Sequence, residues 1–392
     1  MAKKMGHRRT GFAVKQPHGF SAYVPKPLPP SPPVDLRSGT LSRLLSDADR
    51  ALGRLDGVCT VLPDPDLFVG MYVRQEAVLS SRIEGTQSTL DDVLRFESAG
   101  EDAASPADVS EVYNYVRAMN HGLEAIRSDR LPLCLRLIRE VHAELLSGTR
   151  GQEKNPGQFR KSQNWIGPAG CTLSDAQFVP PPVDDMKAAL SQLEAFVHDR
   201  ESLPHLVACG LAHVQFETIH PFLDGNGRVG RLLITLMLCE RGILERPLLY
   251  LSYYFNAHKP EYYDRLMAVR TAGDWEGWLE FFLTGVREVS LAATDTAREI
   301  AGLRERHRTL VQENGRRTTN ALRLLDELMR QPTLGIQQIA ARLDCRATTA
   351  SDAVKTLEDL RIIEEISGRQ RNRQYRYSAY VDLFHRTLLR GP

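Results

Sequence analysis

Residues 220–231 read His220-Pro221-Phe222-Leu223-Asp224-Gly225-Asn226-Gly227-Arg228-Val229-Gly230-Arg231. Apolar residues then recur at Val229, Leu232, Leu233, Leu236 and Met237, the spacing of an amphipathic helix. Just upstream, residues 204–219 read as another helix with Leu206, Val207, Leu211 and Val214 inward. The stretch is therefore a loop between two helices that opens into the N-terminus of the second. A helix start presents unpaired backbone N–H groups, which suit a phosphate. Gly225 and Gly227 let the backbone approach an anion closely. Arg228 and Arg231, three apart, share one helix face and add forked, permanently charged donors. The order is not that of a Walker loop, and no strand precedes it as a dinucleotide fingerprint requires.

Each residue type has a task if the ligand is a nucleoside triphosphate. His220 can take a proton from an incoming hydroxyl. Asp224 is a hard oxygen ligand suited to Mg²⁺. Gly225, Asn226 and Gly227 offer N–H groups and a side-chain amide to the phosphate under attack. A lone histidine before proline is more often structural, and a D-G-N-G string more often a turn. The order of base, carboxylate, glycine pair and arginine pair argues against both bland readings.

At these residues the chain closely resembles the Fic family, whose signature H-P-F-x-[DE]-G-N-G-R-x-x-R is matched at every position. The resemblance implies transfer of AMP from ATP to a Ser, Thr or Tyr hydroxyl of a protein, with release of pyrophosphate. It implies His220 as general base, Asp224 as Mg²⁺ ligand and Gly225–Gly227 as the anion cradle. Arg228 becomes a phosphate contact and Arg231 the γ-phosphate partner.

Residues 69–86 form a helical stripe of Val73, Ala77, Ser80 and Glu84, with Gly85 as its stop. A carboxylate on an apolar stripe calls for a cation. A solvated face shared with Arg82 is the plainer alternative. Ser80, Glu84 and Gly85 match the family's inhibitory pattern [ST]-x-x-x-E-[GN], in which the glutamate pairs with the second motif arginine and occludes the γ-phosphate position. In some relatives the same glutamate aligns water to remove AMP, so a de-AMPylating enzyme is an alternative.

Gly157-Gln158-Phe159-Arg160 leads into Gln163-Asn164-Trp165-Ile166-Gly167, then a Gly/Pro turn and Phe178-Val179-Pro180. Two short extended runs about a turn predict a β-hairpin. It resembles the family's flap, which holds a protein substrate by strand addition; an ordinary surface hairpin is the alternative. Beyond the motif helix, the aromatic run 249–263 supplies Tyr254, Asn256 and Tyr262 as base-pocket candidates, with core packing as the competing reading.

The 392 residues carry 50 basic and 49 acidic side chains, so the chain as a whole does not advertise a polyanion partner. Residues 315–392 differ, with 14 basic against 9 acidic residues, a net of +5. Six cysteines without C-x-x-C spacing point to reduced thiols and a cytoplasmic protein. No apolar run reaches transmembrane length, so no membrane partner is expected. Residues 1–18 read as a frayed basic lead and 23–33 as a proline-rich arm. Amphipathic helices are expected over 35–56, 112–126, 135–146 and 183–198, and one or two over 275–304, with strands confined to the flap and the C-terminus. Helices at 318–330, 336–343 and 347–360, then a hairpin with a basic tip, look like a winged helix. Its recognition helix offers Arg346, Thr348, Thr349, Ser351 and Lys355 to DNA, and its wing Arg369, Arg371 and Arg373. Homodimerisation or protein docking is the other use of such a module.

The fold class is mainly α: a Fic-type helical bundle with a small β-hairpin flap and a C-terminal winged helix-turn-helix domain. Its parts are an arm (1–34), an inhibitory helical region (35–110), the catalytic domain (111–305) and the C-terminal domain (315–392). The function expected is a self-inhibited protein adenylyltransferase. A DNA-binding regulator with a nucleotide-sensing domain is the non-catalytic alternative.

Overall fold

A computed structural model describes residues 6–17, 19–37, 39–61, 66–99, 107–168, 170–314, 318–369 and 373–389. The chain opens on a three-stranded antiparallel sheet of β1 (Gly6–His7), β2 (Gly11–Lys15) and β3 (Ser21–Pro25), in which Phe12 pairs with Val24 and Ala13 with Tyr23. This corrects two expectations: the lead is not frayed over its described part, and strands are not confined to the flap and C-terminus. The sheet is held from outside its own sequence. Arg9 pairs with Glu276 at 2.8 Å, and the Tyr23 N–H donates to the Val179 carbonyl at 2.9 Å.

The body is helical. α1 (Gly39–Val61) buries Leu41, Ala48, Leu52 and Leu55, and starts four residues later than its periodicity suggests. α2 (Asp66–Ile83), α3 (Leu90–Ala99), α4 (Ala107–Arg127), α5 (Leu135–Leu146) and α6 (Val183–His198) follow. α7 (His205–Ile219) and α8 (Asn226–Glu240) cross the centre of the core, flanked on one side by α9 (Ser252–Ala257) and α10 (Lys259–Ala272). The region beyond residue 275 is one continuous helix, α11 (Trp275–Glu313), capped by the Asp274 carboxylate on the Gly277 N–H at 3.0 Å. It runs unbroken because its two halves are buried by different partners. Trp278, Phe282 and Val286 lie in the body, and Arg304 binds Asp326 of the next unit at 2.9 Å.

That unit comprises α12 (Thr318–Arg330), β4 (Thr333–Gly335), α13 (Ile336–Leu343), α14 (Ala347–Asp359), β5 (Glu364–Glu365), β6 (Gln374–Arg376) and α15 (Ser378–Leu389). Its strands order β4-β6-β5, all antiparallel. It packs on the body through Phe384, edge-on to Tyr72 of α2 at 5.3 Å, and through Arg376, 2.8 Å from Asp91.

The expected flap hairpin is reduced to a single antiparallel bridge, Ile166 to Phe178. Prolines at 168 and 180–182 remove ladder donors on both sides of it. Cys134, Cys171, Cys209, Cys239 and Cys345 are free thiols. Among the described residues, no helix is long and apolar enough to cross a membrane.

Candidate active site

His220 ends α7 in the left-handed region at φ 48°, its N–H bonded back to the Phe216 carbonyl at 2.9 Å. The loop that follows is cinched by its own side chains. The Asn226 Oδ1 accepts the Phe222 N–H at 2.8 Å and its Nδ2 donates to the Phe222 carbonyl at 2.9 Å. The Phe222 ring is buried and stacks on His142 at 3.7 Å. His142 in turn bonds the Asp224 carbonyl through Nε2 at 3.1 Å, and its Nδ1 accepts the Gly157 N–H at 2.8 Å. Asn226 thus ties the loop down with its amide oxygen and one amide hydrogen, and its backbone N–H lies ahead of the helical ladder. Replacing Asn226 with alanine strands the Phe222 N–H, while the Phe222 carbonyl keeps the Asn164 Nδ2 at 2.9 Å. A loss of about 1–3 kcal/mol in a denaturant titration is expected.

Gly225, at φ 75°, supplies the left-handed turn into α8. The first helical bond of α8 runs from the Val229 N–H to the Gly225 carbonyl at 3.0 Å, so the N–H groups of residues 226–228 precede the ladder. A Cβ on Gly227 would lie 2.2 Å from the Glu84 Oε1. Glycine there is what lets an acid group settle on the helix N-terminus.

The expected contact between Glu84 and Arg231 forms. Arg231, 3% exposed, donates through Nε to the Ser80 hydroxyl at 2.8 Å, and through one terminal nitrogen to the Ser80 carbonyl at 2.9 Å and the Glu84 carboxylate at 2.7 Å. Burial alone would raise the Glu84 pKa, but Arg231, then Arg228 and His220, hold it below the usual range. Gly85, at φ 102°, turns the chain away after α2. Arg228 is equally buried and pairs with Glu111 at 3.2 Å, and its Nε has no partner.

Burial lowers the His220 pKa to about 3, helped by the Arg270 and Arg160 guanidinium groups; its Nδ1 is buried without a hydrogen-bond partner. The imidazole is therefore neutral at physiological pH. Asp224 is half-exposed at the loop's edge, its Oδ1 accepting the Gly225 N–H at 2.6 Å. Among the described residues no cluster of three His, Cys, Asp or Glu groups could hold an ion. One protein carboxylate fits Mg²⁺, which keeps its waters and takes the rest of its shell from phosphates.

The structure does not open the three base-pocket candidates equally. Tyr262 is buried with its hydroxyl against His213 at 2.9 Å, Tyr254 packs on His258 and Phe281, and Asn256 is half-buried. The neighbouring Tyr263 is more exposed, and close enough for Glu84 and Arg231 to act on its hydroxyl. Sequence reasoning does not single out Glu76, Glu111 or Glu217. Glu76 lies four residues before Ser80 on the same α2 stripe, a spacing that could have found it; its carboxylate takes the Ser252 N–H at 3.0 Å and the Tyr115 hydroxyl at 3.1 Å. Glu111 carries no local signal, since its meaning comes from distant partners, Arg228 at 3.2 Å and Arg150 at 3.3 Å.

The buried groups set a pH dependence. Burial holds His142 near 4, and His213 and His220 near 3, against 6.5 unfolded. Between those values the unfolded chain binds more protons, so stability falls as pH drops. Glu76 and Glu217, raised by burial to about 7 from 4.5, act oppositely between those two values. Below about pH 4.5 the histidine effect remains and is joined by protonation of Glu84 and Glu276, which, despite burial, Arg231 and Arg9 hold low, so thermal midpoints should drop steeply on going from pH 4.5 to 3.5.

Residues 42–124 match the Fic/DOC family N-terminal model and residues 132–238 the Fic/DOC family model. The chain is 30% identical over 151 residues to a protein adenylyltransferase Fic of Aedes aegypti, a match covering 38% of this chain and 27% of that protein. It is 25% identical over 181 residues to a probable protein adenylyltransferase of Aquifex aeolicus, covering 45% and 51%. The match thus spans about a quarter of the insect relative's length. A crystal structure of a Fic family protein from Desulfovibrio desulfuricans superposes with TM-score 0.53 at 22% identity, covering 85% of this chain and 95% of that one.

Proposed function

Because the chain carries the Fic/DOC N-terminal region and the Fic/DOC domain in tandem, we propose that it is a self-inhibited protein adenylyltransferase. The observation that supports this best is Arg231 gripped by Ser80 and Glu84 beside the unladdered N–H groups of α8, with His220 neutral at the other end of the loop. An α8 start that accommodates a carboxylate on Gly227 also suits a phosphate.

In the proposed reaction a Ser, Thr or Tyr hydroxyl of a protein meets the α-phosphorus of ATP. His220 takes the hydroxyl proton, the new O–P bond forms, the bond to the bridging oxygen of the β-phosphate breaks, and pyrophosphate leaves. The negative charge of a bound triphosphate offsets Arg160 and Arg270 and moves the imidazole back toward a useful basicity. Gly225–Gly227 supply the backbone cradle, Arg228 the charge behind it, and Arg231 the γ-phosphate contact once Glu84 withdraws. Asp224 would hold Mg²⁺, whose chemistry is to neutralise charge on the phosphates. Tyr254, Asn256 and Tyr262 remain the base-pocket assignment, with Tyr263 beside them. The flap's short Ile166–Phe178 bridge leaves backbone for an added strand of the target.

Incubation with α-labelled and γ-labelled ATP tests the reading. Label should pass to protein from the α position only. Transfer from the γ position, or from neither once Glu84 is removed, would overturn it.

A second reading concerns the C-terminal unit, which we propose is a winged helix that contacts DNA. α14 exposes Arg346, Thr348, Ser351 and Lys355, with Thr349 half-buried, and Arg369 and Arg373 are exposed beyond β5. Arg371 lies outside the described residues. Replacing Arg369 and Arg373 with alanine should weaken a gel shift and flatten its salt dependence; unchanged binding would leave dimer contact as the use of this face.

A further inference from the structure

Arg160 lies where the base loop meets the flap, and no role in the chemistry above calls for it. It is 2% exposed and its guanidinium reaches three main-chain carbonyls: Nε to His220 at 3.1 Å, and the terminal nitrogens to Ser162 at 3.1 Å and Pro181 at 2.5 Å. Its own N–H donates to the Pro221 carbonyl at 2.9 Å. Ser162 precedes the flap and Pro181 follows it, so one side chain joins both flap ends to the residue proposed as base. Asn164 reinforces the joint, its Nδ2 donating to the His220 and Phe222 carbonyls at 3.1 and 2.9 Å.

Among the described residues Arg160 has no acidic partner, and burial lowers its pKa to about 10. A buried cation without a carboxylate is costly, so its presence asks for a compensating use. Only a planar fork of five donors spans three separately placed carbonyls; lysine presents a point charge and neutral side chains fewer donors. The place that is held is also strained, since His220 sits at φ 48°, a conformation that a side chain other than glycine keeps only when its surroundings enforce it.

We infer that Arg160 is a positioning residue for AMP transfer, locking the height of the flap, and so of the target hydroxyl, to His220. The inference rests on the reading of His220 as base. Misplacing reacting groups by about 1 Å costs on the order of 100-fold in rate, while the triphosphate cradle on α8 is built from other residues.

The test uses the full chain carrying Glu84→Gly, with auto-modification from α-labelled ATP as readout. Arg160→Lys, which keeps the charge but not the fork, and Arg160→Met should each lower the maximal rate by about 100-fold. The KM for ATP should stay within about twofold, since Arg160 touches no cradle group. An unchanged rate, or a KM that rises in step with the rate loss, would overturn the inference. A second readout needs no catalysis: the histidine ¹³Cε1 spectrum of the nucleotide-free chain. His220 faces Arg270, Arg160, the Glu217 main chain and the Glu84 carboxylate. Its signal should shift in both variants, while that of His213, fixed by Gly230 and Tyr262, stays in place. An unmoved His220 signal would overturn the inference. Absence of label transfer in the Arg160-containing parent would instead count against the adenylyltransferase reading.

Discussion

Replacing Glu84 with glycine should raise label transfer from α-labelled ATP onto this chain by roughly 10- to 150-fold, the rate equivalent of losing one charge-assisted hydrogen bond of about 1.5–3 kcal/mol to Arg231. On the proposed reading, Glu84 and the γ-phosphate of ATP compete for one guanidinium. Arg231 spends its Nε on the Ser80 hydroxyl and a terminal nitrogen on the Ser80 carbonyl and the Glu84 carboxylate. The substitution is structurally mild. Glu84 lies just past the end of α2, next to a glycine already in a turn, so little helix propensity is lost. The remaining Ser80 contacts keep Arg231 in place while its charge becomes available. Time courses of auto-modification at saturating ATP check this. If Glu84→Gly leaves the rate unchanged while loss of His220 abolishes it, Glu84 is not the brake.

Replacing His220 with alanine in that released chain should lower transfer by about 10²- to 10⁴-fold, the usual contribution of a positioned general base. Nucleotide binding should persist, because the cradle belongs to α8 and its arginines. Folding should also persist. The His220 ring has at most a weak contact with the Glu217 backbone, so it fastens little; the loop is held by the His220 carbonyl, which alanine retains. Single-turnover transfer alongside an ATP-binding titration separates the outcomes. A rate within a few-fold of the parent would remove His220 from the chemistry, and a lost ATP affinity would make it a structural residue.

Both positions are legible in the amino-acid order, for a shared reason. Each lies in a short run whose residue types and order carry the information: His220 to Arg231 across a loop and a helix start, Ser80 to Gly85 across the last turn of α2 and the turn that follows. Helices with strong periodicity are equally legible, α5, α6, α12 and α13 to the residue. The Gly/Pro turn of the flap predicts a hairpin, yet the segment folds as a single bridge because its prolines deny the ladder its donors.

What the sequence by itself determined is the local order: a histidine, a carboxylate, a glycine turn and two arginines, and a helix with an acid at its end. Periodicity and turn residues act over a few positions, and these features live at that range. Only the tertiary structure decided that Arg231 meets Glu84 across 147 residues, that Arg228 is neutralised by Glu111, and that Arg160 gathers carbonyls from the loop and both flap ends. It also decided that the first strands form a sheet, because Arg9 and Tyr23 find Glu276 and Val179 far along the chain. A charge or a donor carries no mark of its partner in its own neighbourhood; burial, which makes an unpaired one costly, selects the pairing only when the chain has closed.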